Sequence, residues 1–339
     1  MARPSYPRSI PDFSLQFATE EACLEYLAAC RWPDGFVCRR CGHDRGWPRS
    51  DRKGLRCAQC DLITSVTAGT VMHRTRLPLR SWFWAAYLIA TDKRGISALQ
   101  LQRQLGIGSY ESAYHMLHRL RAAMVAPARS KLQGTVEVDE AFIGAPPRNR
   151  APREALEKLI VVGAVEVRPG LKPGSTRPGR IRLRHIPARR KPQLLGFVKD
   201  SVEPGSQVVV DGLGAYKKLA LDGYERVVES AAAGTEQREV LRHFHLIVSN
   251  LKAWLQGTLH GGISGKHLQA YLNEFVFRVN RRGNPQAAFQ TLLGLATQVP
   301  GPECDALYVD AGNPGGWQHP ALLDPDLAPD EPLPFDHKM

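Results

Sequence analysis

Two pairs of cysteines, Cys38 with Cys41 and Cys57 with Cys60, carry thiolates at a spacing that closes on one tetrahedral zinc ion. Each pair brings two sulfurs to one side of a tight turn, and fifteen residues separate the pairs. Arg45, Arg49, Arg52, Lys53 and Arg56 fall between them, so a zinc-held module here presents cations to a nucleic acid, with Arg52 and Lys53 among the expected contacts. Its Zn2+ would be structural. A second chemistry rests on two aspartates. Asp139 lies inside the β-branched run 136–143, and Asp211 directly follows the run 207–210. A carboxylate in or just after a buried strand is costly unless paired, and a divalent cation is the commonest compensation. On neighbouring strands, Asp139 and Asp211 would hold one or two Mg2+ or Mn2+ ions suited to phosphoryl transfer. Taken singly, each has a plainer reading, as a turn at Asp211 and a cap at Asp139.

A third ligand is expected from a long helix over about 237–259. Its apolar stripe runs through Phe244, Ile247, Val248, Leu251 and Leu255. At about 100° per residue, His245, Ser249 and Lys252 border the stripe on one side, and His243 and Asn250 on the other. His245 is the first choice for the metal and Asn250 the competing catalytic residue. Lys252 would meet a phosphate.

The elements that must position these groups read as follows. Residues 10–30 form a helical lead-in expected to pack on the zinc ribbon of 35–72, in which 62–67 favours a strand. Helices over 79–91, 97–105 and 109–124, the last two joined by Gly106, Ile107 and Gly108, fit a helix-turn-helix whose final helix offers Tyr110, His115, Arg119 and Arg121 to DNA. From 133 the texture changes. Strands at 135–143, 159–167 and 180–186 precede a helix at 192–202, a strand at 207–210, a helix at 215–221, a strand at 225–229 and the long helix. The order βββαβαβα is that of the ribonuclease H-like α/β fold, in which a mixed sheet with flanking helices sets the first and fourth strands side by side. The domains are then 10–72 (lead-in and ribbon), 73–131 (helix-turn-helix-like), 132–299 (ribonuclease H-like) and 300–339 (an acidic, proline-rich tail expected to be disordered).

Composition agrees with a polyanionic partner. The 339 residues carry a formal charge of +12. Residues 1–132 hold 20 Lys and Arg against 10 Asp and Glu, and 303–339 hold 1 against 8, so the tail opposes the body. The remaining cysteines, Cys23, Cys30 and Cys304, are scattered, which argues against a disulfide framework. The longest apolar run, 82–90, is far below the roughly 20 residues a membrane span needs. A soluble, cytoplasmic protein, nucleoid-associated when bound to DNA, is expected.

From about Phe13 to Arg282 the chain resembles the zinc-ribbon DDE-type transposases of bacterial insertion sequences. The resemblance rests on the four cysteines, on 136–144 around Asp139, on 210–216 around Asp211, on 249–260, and most specifically on 265–282. It implies a ribonuclease H-like enzyme that cuts double-stranded DNA at transposon ends and joins the freed 3′-hydroxyls to target DNA, using two metal ions and acting as a homo-oligomer on DNA. Where the family's usual third acid, a glutamate, would fall, seven residues before Lys252, this chain has His245, and no Asp or Glu lies between Val240 and Asn273. The resemblance then implies an Asp-Asp-His or Asp-Asp-Asn site; the alternative is an inactivated transposase that binds DNA without catalysis. Arg281, Arg282 and the arginines of 180–190 would add phosphate contacts, and Glu274 is expected to pair with Arg278.

Overall fold

The computed structural model describes residues 4–49, 54–126, 129–144, 159–229, 240–259 and 263–302. Arg52, Lys53, Cys304 and nearly all of the acidic tail lie outside the described residues, as do residues 237–239 of the expected long helix. Helix α1 (Ile10–Gln16) starts at the Ser9 cap and α2 (Glu20–Arg31) at the Thr19 cap. The ribbon follows as a three-stranded antiparallel sheet, β1 (Gly46–Pro48), β2 (Gly54–Cys57) and β3 (Ile63–Ser65).

Helices α3 (Leu79–Thr91), α4 (Ala98–Leu105) and α5 (Tyr110–Ala123) come next. Pro78 gives α3 no side-chain cap; Glu20 supplies one from a distance, accepting from Leu79 N–H at 2.8 Å and Arg80 N–H at 3.0 Å. Gly106 ends α4 at φ +62°, the left-handed conformation that glycine adopts without steric cost, and Ser109 caps α5.

The sheet strands are β4 (Thr135–Ile143), β5 (Leu159–Pro169) and β6 (Thr176–Ile186), then α6 (Lys191–Ser201) and β7 (Gln207–Val210). A 3-10 segment (Gly214–Asp222) replaces the expected α-helix before β8 (Glu225–Val228). Strand order is β6-β5-β4-β7-β8, with β4, β5 and β6 antiparallel in succession and β7 and β8 parallel to β4. This is the expected ribonuclease H-like arrangement. Helices α7 (Arg242–Leu259) and α8 (Gly265–Asn280) cover one face of the sheet, where Phe244, Leu251, Leu268 and Leu272 bury against Val161, Val165 and Ile181. Leu194, Phe197, Tyr216 and Leu219, from α6 and the 3-10 segment, cover the other.

The last helix, α9 (Pro285–Ala296), returns to the N-terminal helices. Its Phe289 ring lies 5.7 Å from both Phe13 and Phe17, at α1 and its C-terminal cap, and 6.1 Å from Phe83 of α3. One hydrophobic core therefore joins α1 to α5 with α9 and Phe277 of α8, across the boundaries expected at 72 and 131. The lead-in buries its aromatic face in that core, which also takes in Val66, Val71 and Met72 from the end of the ribbon segment. Arg31 ties the ribbon further, its guanidinium donating to the carbonyls of Ser65, Val66 and Ala68 at 2.6–3.0 Å.

Candidate active site and zinc centre

The four ribbon cysteines bring their Sγ atoms within 4.8 Å of one another. Cys38 and Cys60 are 3.5 Å apart, as are Cys41 and Cys57. Zn–S bonds of about 2.3 Å in a tetrahedron set sulfurs roughly 3.8 Å apart, so the quartet fits a zinc ion held by four thiolates. Phe36 and the buried Cys38 and Cys57 form the small apolar core beneath it.

The aspartates meet by register. Val138 of β4 pairs with Val210 of β7 in parallel, so Asp139, still within β4, and Asp211, just past the end of β7, come side by side. Alternation along both strands turns them toward the α7 and α8 layer, the face on which Ala141, Ile143 and Val209 are buried. Asp139 Oδ1 accepts from Glu140 N–H at 2.7 Å, and Asp211 Oδ1 from Leu213 N–H at 3.0 Å. Neither Oδ2 accepts a bond from the described residues. Burial pushes the Asp139 carboxyl up to about 7; the Glu140 N–H opposes this, the charges of Glu140 and Asp211 add to it, and Arg189 acts against it. Such a pair is short of positive charge, the condition a divalent cation relieves.

Gly163 of β5 stands opposite Asp139 in the antiparallel register. A Cβ there would come within 2.7 Å of both Leu183 and Phe244, so the missing side chain lets α7 lie close over the aspartate row. Glu137 fixes that helix. Two residues before Asp139 and on the same face, it takes the Phe244 N–H at 2.8 Å and sits 2.6 Å from His243 Nδ1, while His243 Nε2 is 3.1 Å from Thr176. Sequence reasoning missed this clamp; its signal was a second acid at alternate spacing on a buried strand.

The same clamp sorts the α7 candidates. His243 is buried and committed to Glu137, whereas His245, half-buried, is the next polar side chain along. Asn250 and Lys252 are exposed. Among the described residues, the cysteine quartet is the group of three or more His, Cys, Asp or Glu ligands close enough to share an ion; Asp139, Asp211 and His245 do not form a second.

Residues 131–280 match the family described as ISXO2-like transposase domain, and residues 18–62 match the transposase zinc-ribbon domain. The chain thus carries an ISXO2-like transposase domain behind a transposase zinc ribbon. A relative described as an uncharacterized protein in transposable element ISH50 of Halobacterium salinarum is 32% identical over 133 residues, 38% of this chain. The chain spans 44% of the length of that curated relative.

Several arginines expected to touch DNA are engaged within the protein instead, two of them, Arg121 and Arg182, buried. Arg121 is 2% exposed, pairs with Glu274 at 2.8 Å and lies 4.8 Å from the Tyr271 ring, so it is no surface cation. Its place on α5 faces α8, which local periodicity did not reveal. Glu274 also meets Arg278 at 3.4 Å, as expected from the i,i+4 spacing. Arg119 donates to the His73 carbonyl at 3.0 Å, Arg281 stacks on Phe277 at 4.0 Å, and Arg282 donates to the Val279 carbonyl at 2.8 Å. Within 180–190, Arg180 is bonded to Glu166, Arg182 is buried, and Arg184 pairs with Asp200. The exposed part of α5 is its first turn, Tyr110 and Glu111. Among the described residues, no helix is long and apolar enough to cross a membrane.

Proposed function

We propose that this protein is a DNA transposase that binds transposon ends, cleaves donor DNA and joins the 3′-hydroxyl ends to target DNA by metal-dependent phosphoryl transfer at Asp139 and Asp211. The observation that carries this reading is their meeting where β7 ends beside β4, on adjacent parallel strands within the residues that match the transposase domain. Divalent cations bound there would activate the attacking oxygen and stabilise the leaving one. The Oδ2 atoms of both aspartates are the ligands on offer, Glu137 and Gly163 set the height of α7 above them, and the half-buried His245 is our first choice from α7 to complete the set, with Asn250 as its rival. Lys252 steadies a phosphate. The ribbon, with its structural Zn2+, and the first turn of α5 recognise the DNA ends, and two or more copies act together on them.

The absence of Asp and Glu from α7 favours a second reading, DNA binding without catalysis. Both are tested by incubating purified protein with linear DNA carrying the element's ends, Mg2+ or Mn2+ and a target plasmid, alongside Asp139→Ala, Asp211→Ala, His245→Ala and Asn250→Ala. Either aspartate variant should lose more than about 100-fold in strand cleavage and joining. Equal activity in wild type and Asp211→Ala sinks the catalytic reading. Cutting without joining marks a nuclease, and loss in Asn250→Ala but not His245→Ala moves the third ligand to the other flank.

A further inference from the structure

Behind the aspartates sits a second group that the proposed reaction does not use. Glu140 follows Asp139 on β4 but points to the opposite face, where its side chain is 1% exposed. Both of its oxygens are taken: Oε1 by the hydroxyl of the buried Tyr216, five residues beyond Asp211, and Oε2 by Arg189. Arg189 comes from the connection between β6 and α6 and gives Oε2 two bonds, from Nε at 2.9 Å and from Nη2 at 2.6 Å. One edge of the guanidinium is thereby fixed on a buried carboxylate, itself fixed by Tyr216. Nη1 donates to none of the described residues, and the side chain is 38% exposed.

The neighbouring arginines show what is unusual here. Arg180 spends Nε, Nη1 and Nη2 on Glu166, Ser130 and Lys131, and Arg182 spends both terminal nitrogens on the carbonyls of Ile181 and Ser130. Those guanidiniums fasten the fold. Arg189 keeps a donor edge in hand, and it does so within the field of the aspartate pair. Burial opposes its charge, but the bonds to Glu140 and the charges of Glu140, Asp211 and Asp139 outweigh this and hold it above its ordinary pKa.

We propose that Arg189 binds a backbone phosphodiester of DNA lying at Asp139 and Asp211, aimed there by Glu140 and Tyr216. The inference rests on the reading of those aspartates as a DNA-processing site. A phosphate brought against two carboxylates is repelled, and a guanidinium at the same end of the sheet, where β6 finishes level with Phe142 of β4, offsets that repulsion while leaving the aspartate oxygens free. A free, flexible arginine would fold back onto Asp139 or Asp211 and compete with their cations. The hold of Glu140 prevents this, which gives a buried salt bridge a positioning role that stability alone does not require.

The test uses the full chain and a fluorescent DNA duplex of arbitrary sequence, without divalent ions, across a salt series. Arg189→Ala should lower the slope of log affinity against log salt by about 0.9, the loss of one phosphate contact, and Arg189→Lys should restore part of it. Tyr216→Phe keeps the charge but loosens the aim, so its slope stays while cleavage per bound duplex falls roughly 10-fold or more. An unchanged slope in a natively folded Arg189→Ala overturns the assignment, because a purely structural ion pair would alter only thermal stability. If Arg189→Ala does not fold, Arg189→Gln, which retains a bond to Glu140 without the charge, is read the same way. Wild-type cleavage by Asp211→Ala would instead defeat the proposed function, an outcome separate from the salt slope.

Discussion

The cysteine quartet, which fits a zinc ion, and the aspartate pair, the proposed seat of Mg2+ or Mn2+, are built in opposite ways. The quartet is assembled from 23 consecutive residues, 38–60, and brings four ligands within 4.8 Å of one another. Asp139 and Asp211 lie 72 positions apart in the chain, offer two carboxylates, and keep an oxygen each unbonded among the described residues. A site meant to hold an ion for good closes on it, whereas a site meant to receive a substrate stays short of ligands. β4 repeats the contrast within four residues. Glu137 and Glu140 are satisfied by protein donors on opposite faces, and Asp139 between them is left with a desolvated, unmatched carboxyl.

The largest expected effect breaks the closed site. Stripping zinc with a chelator, or Cys57→Ser, should unfold β1 to β3, since structural zinc contributes on the order of 10 kcal/mol to such modules. Hydrogen exchange should then show lost protection in 46–65 with β4 to β8 unchanged, together with weaker binding to transposon ends; retained protection in the ribbon would mean that its sheet stands without metal. A smaller effect sharpens the open site. Glu137→Ala leaves His243 buried without its carboxylate and should cost about 3–5 kcal/mol by urea denaturation. An unmoved midpoint would show that α7 is held by its apolar face alone. The smallest concerns Glu166, a carboxylate that the protein does satisfy. Burial works against its charge, but bonds from Arg180, from the Gln133 and Arg180 N–H groups and from Arg168 hold it at about 2, below the usual 4.5. Its stabilisation is therefore full above pH 4.5 and lost as pH falls toward 2. Glu166→Gln should cost about 2 kcal/mol at pH 7, with the gap to wild type closing through that window; a gap constant with pH would contradict the ion pairs.

The sheet was legible because each strand announces itself locally. Val208, Val209 and Val210 form a short β-branched run, and β4 alternates apolar and acidic residues, so the order of elements and the meeting of Asp139 with Asp211 followed from topology. The ribbon was legible from cysteine spacing. Interactions between distant segments were not. Nothing in α5 marks Arg121 as buried, because its partner Glu274 is 153 positions away. The same holds for Glu137 with His243, 106 positions apart, and for Phe13 with Phe289. The helix expected at 215–221 is of the 3-10 type, spanning Gly214–Asp222, which sequence does not distinguish because both periods place Tyr216 and Leu219 inward.

The return of α9 to the N-terminal helices has a consequence for synthesis. A ribosome completes α1 to α5 early, but their shared core lacks Phe289, Leu292 and Leu293 until nearly 300 residues have been made. By then the whole sheet has emerged. The helical part of the chain thus matures last although it is translated first, and an incomplete chain released before α9 would carry the exposed apolar surface of an unfinished core rather than a folded N-terminal fragment.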